Sequence, residues 1–115
     1  HQPKQSGLAT RELLALKEPP TCILYPDDMA LLGGQTEIES QGLRIPEDIS
    51  IAGYDGIWLC QMLRPRLTTL KQDCEAMGNT AAQMLVEAME FPKTYLPRQV
   101  LIPGHLIPGG TAKHI

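Results

Sequence analysis

The chain lacks an excess of basic charge and any long apolar run. Its 115 residues carry 10 Lys and Arg against 13 Asp and Glu, a formal net charge of -3. With so few cations available to displace counterions from a phosphate backbone, this segment alone is not expected to bind nucleic acid. No apolar stretch approaches the roughly 20 residues needed to cross a bilayer, because Pro19, Pro26, Gly33 and Glu37 interrupt the best candidates. We therefore expect no membrane partner.

Paired cysteines and nucleotide motifs are also missing. Cys22, Cys60 and Cys74 show no C-x-x-C spacing, a pattern that favours reduced structural thiols, a cytoplasmic setting and no metal site. The phosphate-binding patterns G-x-x-x-x-G-K-[ST] and G-x-G-x-x-G do not occur, so no cofactor is expected. The first residues, His1 to Ser6, do not have the pattern of a secretory signal.

Groups suited to catalysis are scarce as well. Nucleophilic catalysis needs a Cys or Ser beside a base that a third group orients. The histidines His1, His105 and His114 instead lie near the chain ends. The residues therefore predict a protein that is not an enzyme and has no catalytic residues.

What the chain does contain suits one ordinary hydrophobic core, since 43% of its residues are hydrophobic and 20% are charged. Apolar runs of strand length alternate with stretches of helical periodicity. This alternation predicts an α/β fold, a parallel sheet with flanking helices. The predicted helices are 7–17 with Ser6 as cap, Asp27 or Asp28 to 41, 57–63 and 73–90, and the predicted strands are 21–25, 49–54, 67–71, 98–102 and 105–107.

Acidic residues follow two of the predicted strands. Asp27 comes after the strand 21–25, and Asp55 follows the strand 49–54. In open parallel sheets, ligands bind beyond the carboxyl ends of the strands. Asp27 is explained first as a helix cap, with a ligand contact as the alternative. At Asp55, which lies between Gly53 and Gly56 and caps no long helix, a ligand contact and a purely structural turn stay open.

Several blocks of residues occur in a characteristic order. They are Asp27-Asp28-Met29-Ala30-Leu31, the stretch from Gly42 to Ser50, Gly53-Tyr54-Asp55, the stretch from Pro65 to Gln72, and Gly109-Gly110-Thr111. Their order and spacing resemble the effector-binding core of the LacI/GalR family of bacterial transcription regulators. The resemblance spans nearly the whole chain but only the C-terminal part of that core.

The resemblance implies a fold like that of type I periplasmic binding proteins, in which two flavodoxin-like α/β subdomains enclose a small ligand. By this resemblance, the chain is an incomplete fragment of the two-subdomain core. Residues 1–72 would belong to the C-terminal subdomain, residues 73–100 would supply a helix and a strand to the partner subdomain, and residues 101–115 would form the return strand and tail. DNA would be bound only through an N-terminal headpiece absent from this chain.

The resemblance also implies a ligand-binding site, made by Asp55, Pro26, Asp27, Gln72 and Cys74. The family counterpart of Asp55 commonly hydrogen-bonds effector hydroxyls. Pro26 stands where many sugar-responsive members have Asn, and Cys74 stands where some have an aromatic residue. A sugar or a related polar ligand is the implied small-molecule effector, and these two departures leave another metabolite, or no ligand, as alternatives.

The implied function is effector binding and homodimerisation in a cytoplasmic LacI-type regulator. A periplasmic sugar-binding protein of a transport system has the same architecture and is the alternative. Dimer contacts are expected at Met29, Leu32, Ile38, Trp58, Met62 and Leu63, and the alternative is that these side chains fill the core of the monomer. The apolar stripe Met77, Met84, Leu85 and Met89 of the helix 73–90 would lack its partner strands. A second chain is expected to cover it, and docking of the helix on its own sheet is the alternative.

Overall fold

A computed structural model describes residues 2–114, which divide into two units. The first unit joins the segment that ends at Lys71 to the segment that begins at His105, and the second unit is Gln72–Gly104. The helices are α1 (Pro3–Leu14), α2 (Asp28–Ser40), α3 (Trp58–Met62) and α4 (Cys74–Glu90), and the strands are β1 (Cys22–Leu24), β2 (Ser50–Asp55), β3 (Thr69–Lys71) and β4 (His105–Ile107).

The strands of the first unit form one sheet in the order β1-β2-β3-β4. The first three are parallel, with Ile23 opposite Ile51 and Asp55 opposite Lys71. The fourth is antiparallel, with His105 opposite Lys71. The chain re-enters the sheet beside the end of β3, so β4 runs back along β3. The predicted α/β fold is thus confirmed as a mostly parallel sheet with one antiparallel strand.

Local chemistry sets the ends of α2. The Asp27 Oδ1 atom accepts the Ala30 N–H at 2.7 Å and caps the helix. After the helix, Gly42 has a φ of +77°, a left-handed conformation that glycine adopts without a steric penalty. The predicted helix that begins at Asp27 or Asp28 and closes at Gly42 is confirmed.

The first helix begins earlier than the predicted 7–17. Pro3 occupies the first turn of α1, where a missing backbone N–H costs nothing. Ser6 lies inside the helix and is not its cap. Its hydroxyl donates to the Ala30 carbonyl at 2.6 Å, joining α1 to α2. The two helices can approach closely because Gly33 has no side chain. A Cβ at this position would overlap the Pro3 carbonyl oxygen.

The core of the first unit joins β1 and β2 to α2 and the short α3. It consists of Ile23, Tyr25, Ala30, Leu31, Ile38, Ile49, Ile51, Cys60 and Leu67. Ile38 is fully buried in this core, so the expectation of a dimer contact at Ile38 is wrong. Leu32 and Leu63 are half-buried against the same core, whereas Met29, Trp58 and Met62 are exposed.

The tail after β4 joins two strands at the amino end of the sheet. Thr111 is fully buried, and its Oγ1 atom accepts the Thr68 N–H at 2.9 Å and donates to the Ile51 carbonyl at 2.7 Å. The Ile51 N–H in turn donates to the Thr111 carbonyl at 2.8 Å. Thr111 therefore bridges β2 and the residues that lead into β3.

The second unit contains α4 but not the strand predicted over residues 98–102. Those residues form neither helix nor strand. A strand exists only where a neighbouring strand exchanges hydrogen bonds with it. Pro97 and Pro103, which flank the segment, have no N–H to donate. The expectation of a strand within residues 73–100 is therefore wrong.

The apolar stripe of α4 is exposed in the single chain. Asp73 caps this helix by accepting the Ala76 N–H at 2.9 Å, but none of the helix residues is buried. Leu85 is 62% exposed and Met89 is 70% exposed. The expectation that a second chain covers this stripe stays a prediction.

Candidate functional site

The carboxyl edge of the first unit's sheet brings together three of the five predicted site residues. Pro26 and Asp27 follow β1, and Asp55 is the last residue of the neighbouring β2. Pro26 is exposed, while Asp27 and Asp55 are half-buried. Gln72 and Cys74 belong to the second unit, where Cys74 is the exposed first residue of α4.

A buried carboxylate organises this edge, and it belongs to Asp28. The side chain is fully buried in the first turn of α2. Its Oδ2 atom accepts the N–H groups of Gly56 and Ile57, each at 2.9 Å. Its Oδ1 atom accepts the Thr69 hydroxyl at 2.7 Å. Asp28 therefore joins α2 to the loop after β2 and to β3.

The sequence does not predict this role for Asp28. The available signal is that Asp27 and Asp28 are adjacent, since only one of two neighbouring carboxylates can cap the same helix. A buried carboxylate is costly unless donors replace the water that it loses. The three donors supply that compensation, and Gly53 leaves the space for it, because a Cβ there would overlap the Asp28 Oδ1 atom.

Cys60 lies fully buried in the core beside this group. Burial is the larger cause that raises the pKa of the Cys60 thiol to about 11, and the negative charge of Asp28 adds to it. The thiol therefore stays protonated at neutral pH and acts as a small apolar side chain. Cys22 and Cys74 are exposed, and all three thiols are free.

Asp55 has an unfavourable backbone conformation for a residue with a side chain. Its φ is +112°, and it is followed by Gly56 at +72°. Non-glycine residues in such regions cost roughly 1 to 3 kcal/mol and persist only where their surroundings impose them. Here Asp28 holds the backbone in this conformation, because it accepts hydrogen bonds from the two N–H groups that follow Asp55.

The edge has the chemistry of a binding site for polar groups. A carboxylate accepts two hydrogen bonds from hydroxyls, and such charge-assisted bonds are stronger than neutral ones. Within residues 2–114, no cluster of three or more His, Cys, Asp or Glu side chains is placed to hold a metal ion. In the same part of the chain, no helix has the length and hydropathy needed to span a membrane.

Comparison with known proteins places these features in a wider group. A family model described as a periplasmic binding protein-like domain matches residues 2–112. The chain is 38% identical over 91 residues to the probable HTH-type transcriptional repressor ExuR of Bacillus subtilis (strain 168), a match that covers 78% of this chain and 27% of the relative. The chain thus spans less than a third of that curated relative's length.

Solved structures give the same result. A LacI family transcriptional regulator from Enterococcus faecium, with bound ribose, matches with a TM-score of 0.85 and 30% identity over 96% of this chain and 40% of its own. The lac repressor dimer bound to operator and the anti-inducer ONPF matches with a TM-score of 0.84 and 29% identity, covering 96% of this chain and 38% of its own.

The role of Asp28 is tested by two substitutions. We expect Asp28→Ala to lower the free energy of unfolding by about 3 kcal/mol or more, because it leaves two partly buried N–H groups and the buried Thr69 hydroxyl without their acceptor. Asp28→Asn should cost less, since an amide oxygen can accept both N–H groups while its NH₂ donates to Thr69. Urea unfolding monitored by circular dichroism measures both. The exposed Asp48, substituted in the same two ways, is the control, and equal losses at Asp28 and Asp48 would contradict the assignment.

The raised pKa of Cys60 predicts selective labelling by iodoacetamide at pH 8. At that pH, the thiolate fraction of a group with a pKa of about 11 is roughly a hundredfold smaller than that of an ordinary cysteine. We expect Cys22 and Cys74 to be alkylated in the folded protein and Cys60 to stay unmodified, as measured by mass spectrometry of the peptides. In urea all three should react alike. Labelling of folded Cys60 at the rate of Cys22 would show that the thiol is neither buried nor protonated.

Proposed function

The chain belongs to the LacI/GalR family, as the C-terminal part of its periplasmic-binding-protein-like core, and on that premise we propose that it is the effector-binding and dimerisation part of a transcription regulator. A small polar metabolite binds at the carboxyl edge of the first unit's sheet and changes DNA binding by a headpiece elsewhere in the gene product. The chain itself is not an enzyme and works in the cytoplasm. The repressor name of the curated relative and the operator in one similar structure support this function over transport.

The backbone of Asp55 carries the ligand-binding part of the proposal. Glycine would occupy a φ of +112° at lower cost, so the carboxylate is present at the expense of local stability. Unfavourable backbone conformations of this kind cluster at binding and catalytic sites. Asp55 also ends a strand of a parallel sheet, beside Asp27 at the end of the adjacent β1. The ribose bound to one similar structure supports a sugar or a related polar ligand.

We also propose that the two units belong to different subdomains of the core. Residues 1–72 form part of the C-terminal subdomain, residues 73–100 belong to the partner subdomain, and residues 101–115 carry the return strand and tail. The division of the described chain near Lys71 and His105 supports this arrangement. So does α4, whose apolar side chains find no burial within the described chain. Ligand contacts at Gln72 and Cys74 stay predictions.

The ligand-binding proposal is tested at Asp55 in the complete gene product. Operator DNA is selected from a random pool, and its affinity is measured by fluorescence anisotropy with and without pentoses, hexoses and their acid and phosphate derivatives. We expect Asp55→Asn to weaken binding of the active compound by roughly 1 to 3 kcal/mol, which is the loss of a hydrogen bond to a charged group. Asp55→Gly should abolish the response and raise the free energy of unfolding by about 1 kcal/mol, because it relieves the backbone strain.

Two outcomes contradict this function. One is a gene product that binds no DNA from the pool. The other is an Asp55→Gly variant that keeps the full response to the active compound. We expect the Asp55→Gly variant to have a higher free energy of unfolding and no response of operator affinity to the compound. A purely structural turn at Asp55 does not predict this combination.

Homodimerisation is proposed through the exposed apolar side chains of α3. Trp58 is 75% exposed and Met62 is 68% exposed, and their spacing of four residues places them on one face of the helix. Met29 on α2 is also exposed, and we expect it at the same interface. The similar lac repressor structure contains a dimer.

We expect Met62→Glu to shift the gene product towards monomer, because it places a charge in a dry contact. Sedimentation velocity measures the mass over a range of concentrations. Leu16→Glu is the matched control, since Leu16 is 54% exposed but lies beyond the end of α1. An unchanged dimer in the Met62→Glu variant would remove α3 from the interface.

A further inference from the structure

A lysine lies beside Asp55 at the carboxyl edge, and the proposed function gives it no role. The strand register pairs Asp55 with Lys71 and pairs Lys71 with His105. Directly paired residues of neighbouring strands lie side by side in a sheet. One row across β2, β3 and β4 therefore carries a carboxylate, an ammonium group and an imidazole.

The backbone after β2 packs against the lower part of the Lys71 side chain. A Cβ on Gly56 would lie 2.6 to 2.7 Å from the Cα, Cβ and Cγ atoms of Lys71, so only glycine fits there. The N–H of Gly56 is itself held by Asp28. The stem of Lys71 thus rests on a loop that the buried carboxylate fixes, and this contact limits where the ammonium group can lie.

The exposure of Lys71 leaves its ammonium group accessible to a ligand. Asp28 is not available to pair with it, because both of its oxygens already accept hydrogen bonds from Gly56, Ile57 and Thr69. A ligand that covers this row of three residues removes water from the Lys71 ammonium group. The ligand must then supply a group that replaces the lost hydrogen bonds and balances the charge.

We infer that the ligand of this site is a polyhydroxylated anion, a sugar that carries a carboxylate or phosphate group. The inference rests on the proposed function and names the ligand class of that same site. The hydroxyls donate to Asp55, and the anionic group pairs with Lys71 and takes a further hydrogen bond from the His105 ring. Strand order fixes the orientation, because Asp27 lies on the β1 side of Asp55 and Lys71 lies on the β3 side. Pro26, on the β1 side, has no polar side-chain atom to hold a neutral sugar.

Matched ligands test the inference by isothermal titration calorimetry on the complete gene product. The neutral sugars are D-glucose and D-galactose, and each is compared with its uronate and with its 6-phosphate. We expect the uronate or the 6-phosphate of one sugar to bind about tenfold or more tightly than the neutral form, because a charge-assisted bond to Lys71 is gained. The tighter of the two anions identifies a sugar acid or a sugar phosphate as the ligand.

Substitutions assign the preference to one side chain. Lys71→Gln should remove the preference for the anion and leave the affinity for the neutral sugar within about twofold, since only the charge is lost. Lys71→Arg should keep the preference. The matched control is Lys17→Gln, an exposed lysine between α1 and β1, which should change none of these affinities. Circular dichroism of each variant checks that it is folded.

The outcomes separate this inference from the proposed function. A neutral sugar that binds as tightly as its anions overturns the inference, and so does a preference that survives Lys71→Gln or the failure of all six compounds to bind. The proposed function still stands in these cases if another compound alters operator affinity through Asp55. It fails independently if the gene product binds no operator DNA.

Discussion

A single buried carboxylate determines how the ligand edge of this molecule is built. Asp28 is fully buried, and its two oxygens accept hydrogen bonds from two backbone N–H groups and one hydroxyl. Burying a charge is unfavourable unless such donors are in place. Their placement fixes the start of α2, the turn after β2 and the neighbouring β3 relative to one another. The same group excludes a side chain at position 53, and its charge adds to the burial that raises the pKa of the Cys60 thiol.

Elements whose causes lie in neighbouring residues could be predicted from the sequence. The α2 helix has its cap at Asp27 and its closing glycine at Gly42, and both signals lie within the helix's own segment. The apolar run before Asp55 likewise gives β2 within one residue of its observed bounds. The parallel arrangement of the first three strands follows from the alternation of helices and strands. The antiparallel β4 does not, because its direction depends on where the chain re-enters the sheet.

Features that depend on distant partners could not be predicted. The three groups that bind Asp28 lie 28 to 41 residues away, and no spacing rule links them. The sequence does not distinguish the core position of Ile38 from an interface position, because hydrophobicity is the same signal for both. The segment 98–102 has the composition of a strand, but no neighbouring strand pairs with it in the described chain. Of the predicted site residues, Pro26, Asp27 and Asp55 could be placed at one edge because the ends of adjacent parallel strands meet there.

The bridge made by Thr111 has a consequence for the order in which the protein is synthesised. The first unit is discontinuous, since its sheet is completed by β4 and its amino end by Thr111, which joins Ile51 and Thr68. When residues 2–71 have left the ribosome, these contacts do not yet exist, and the chain must still deliver 40 more residues before Thr111 emerges. Folding of this unit therefore ends after translation of its last segment, and a nascent chain that stalls near Gly104 presents β3 with one edge unpaired to chaperones and proteases.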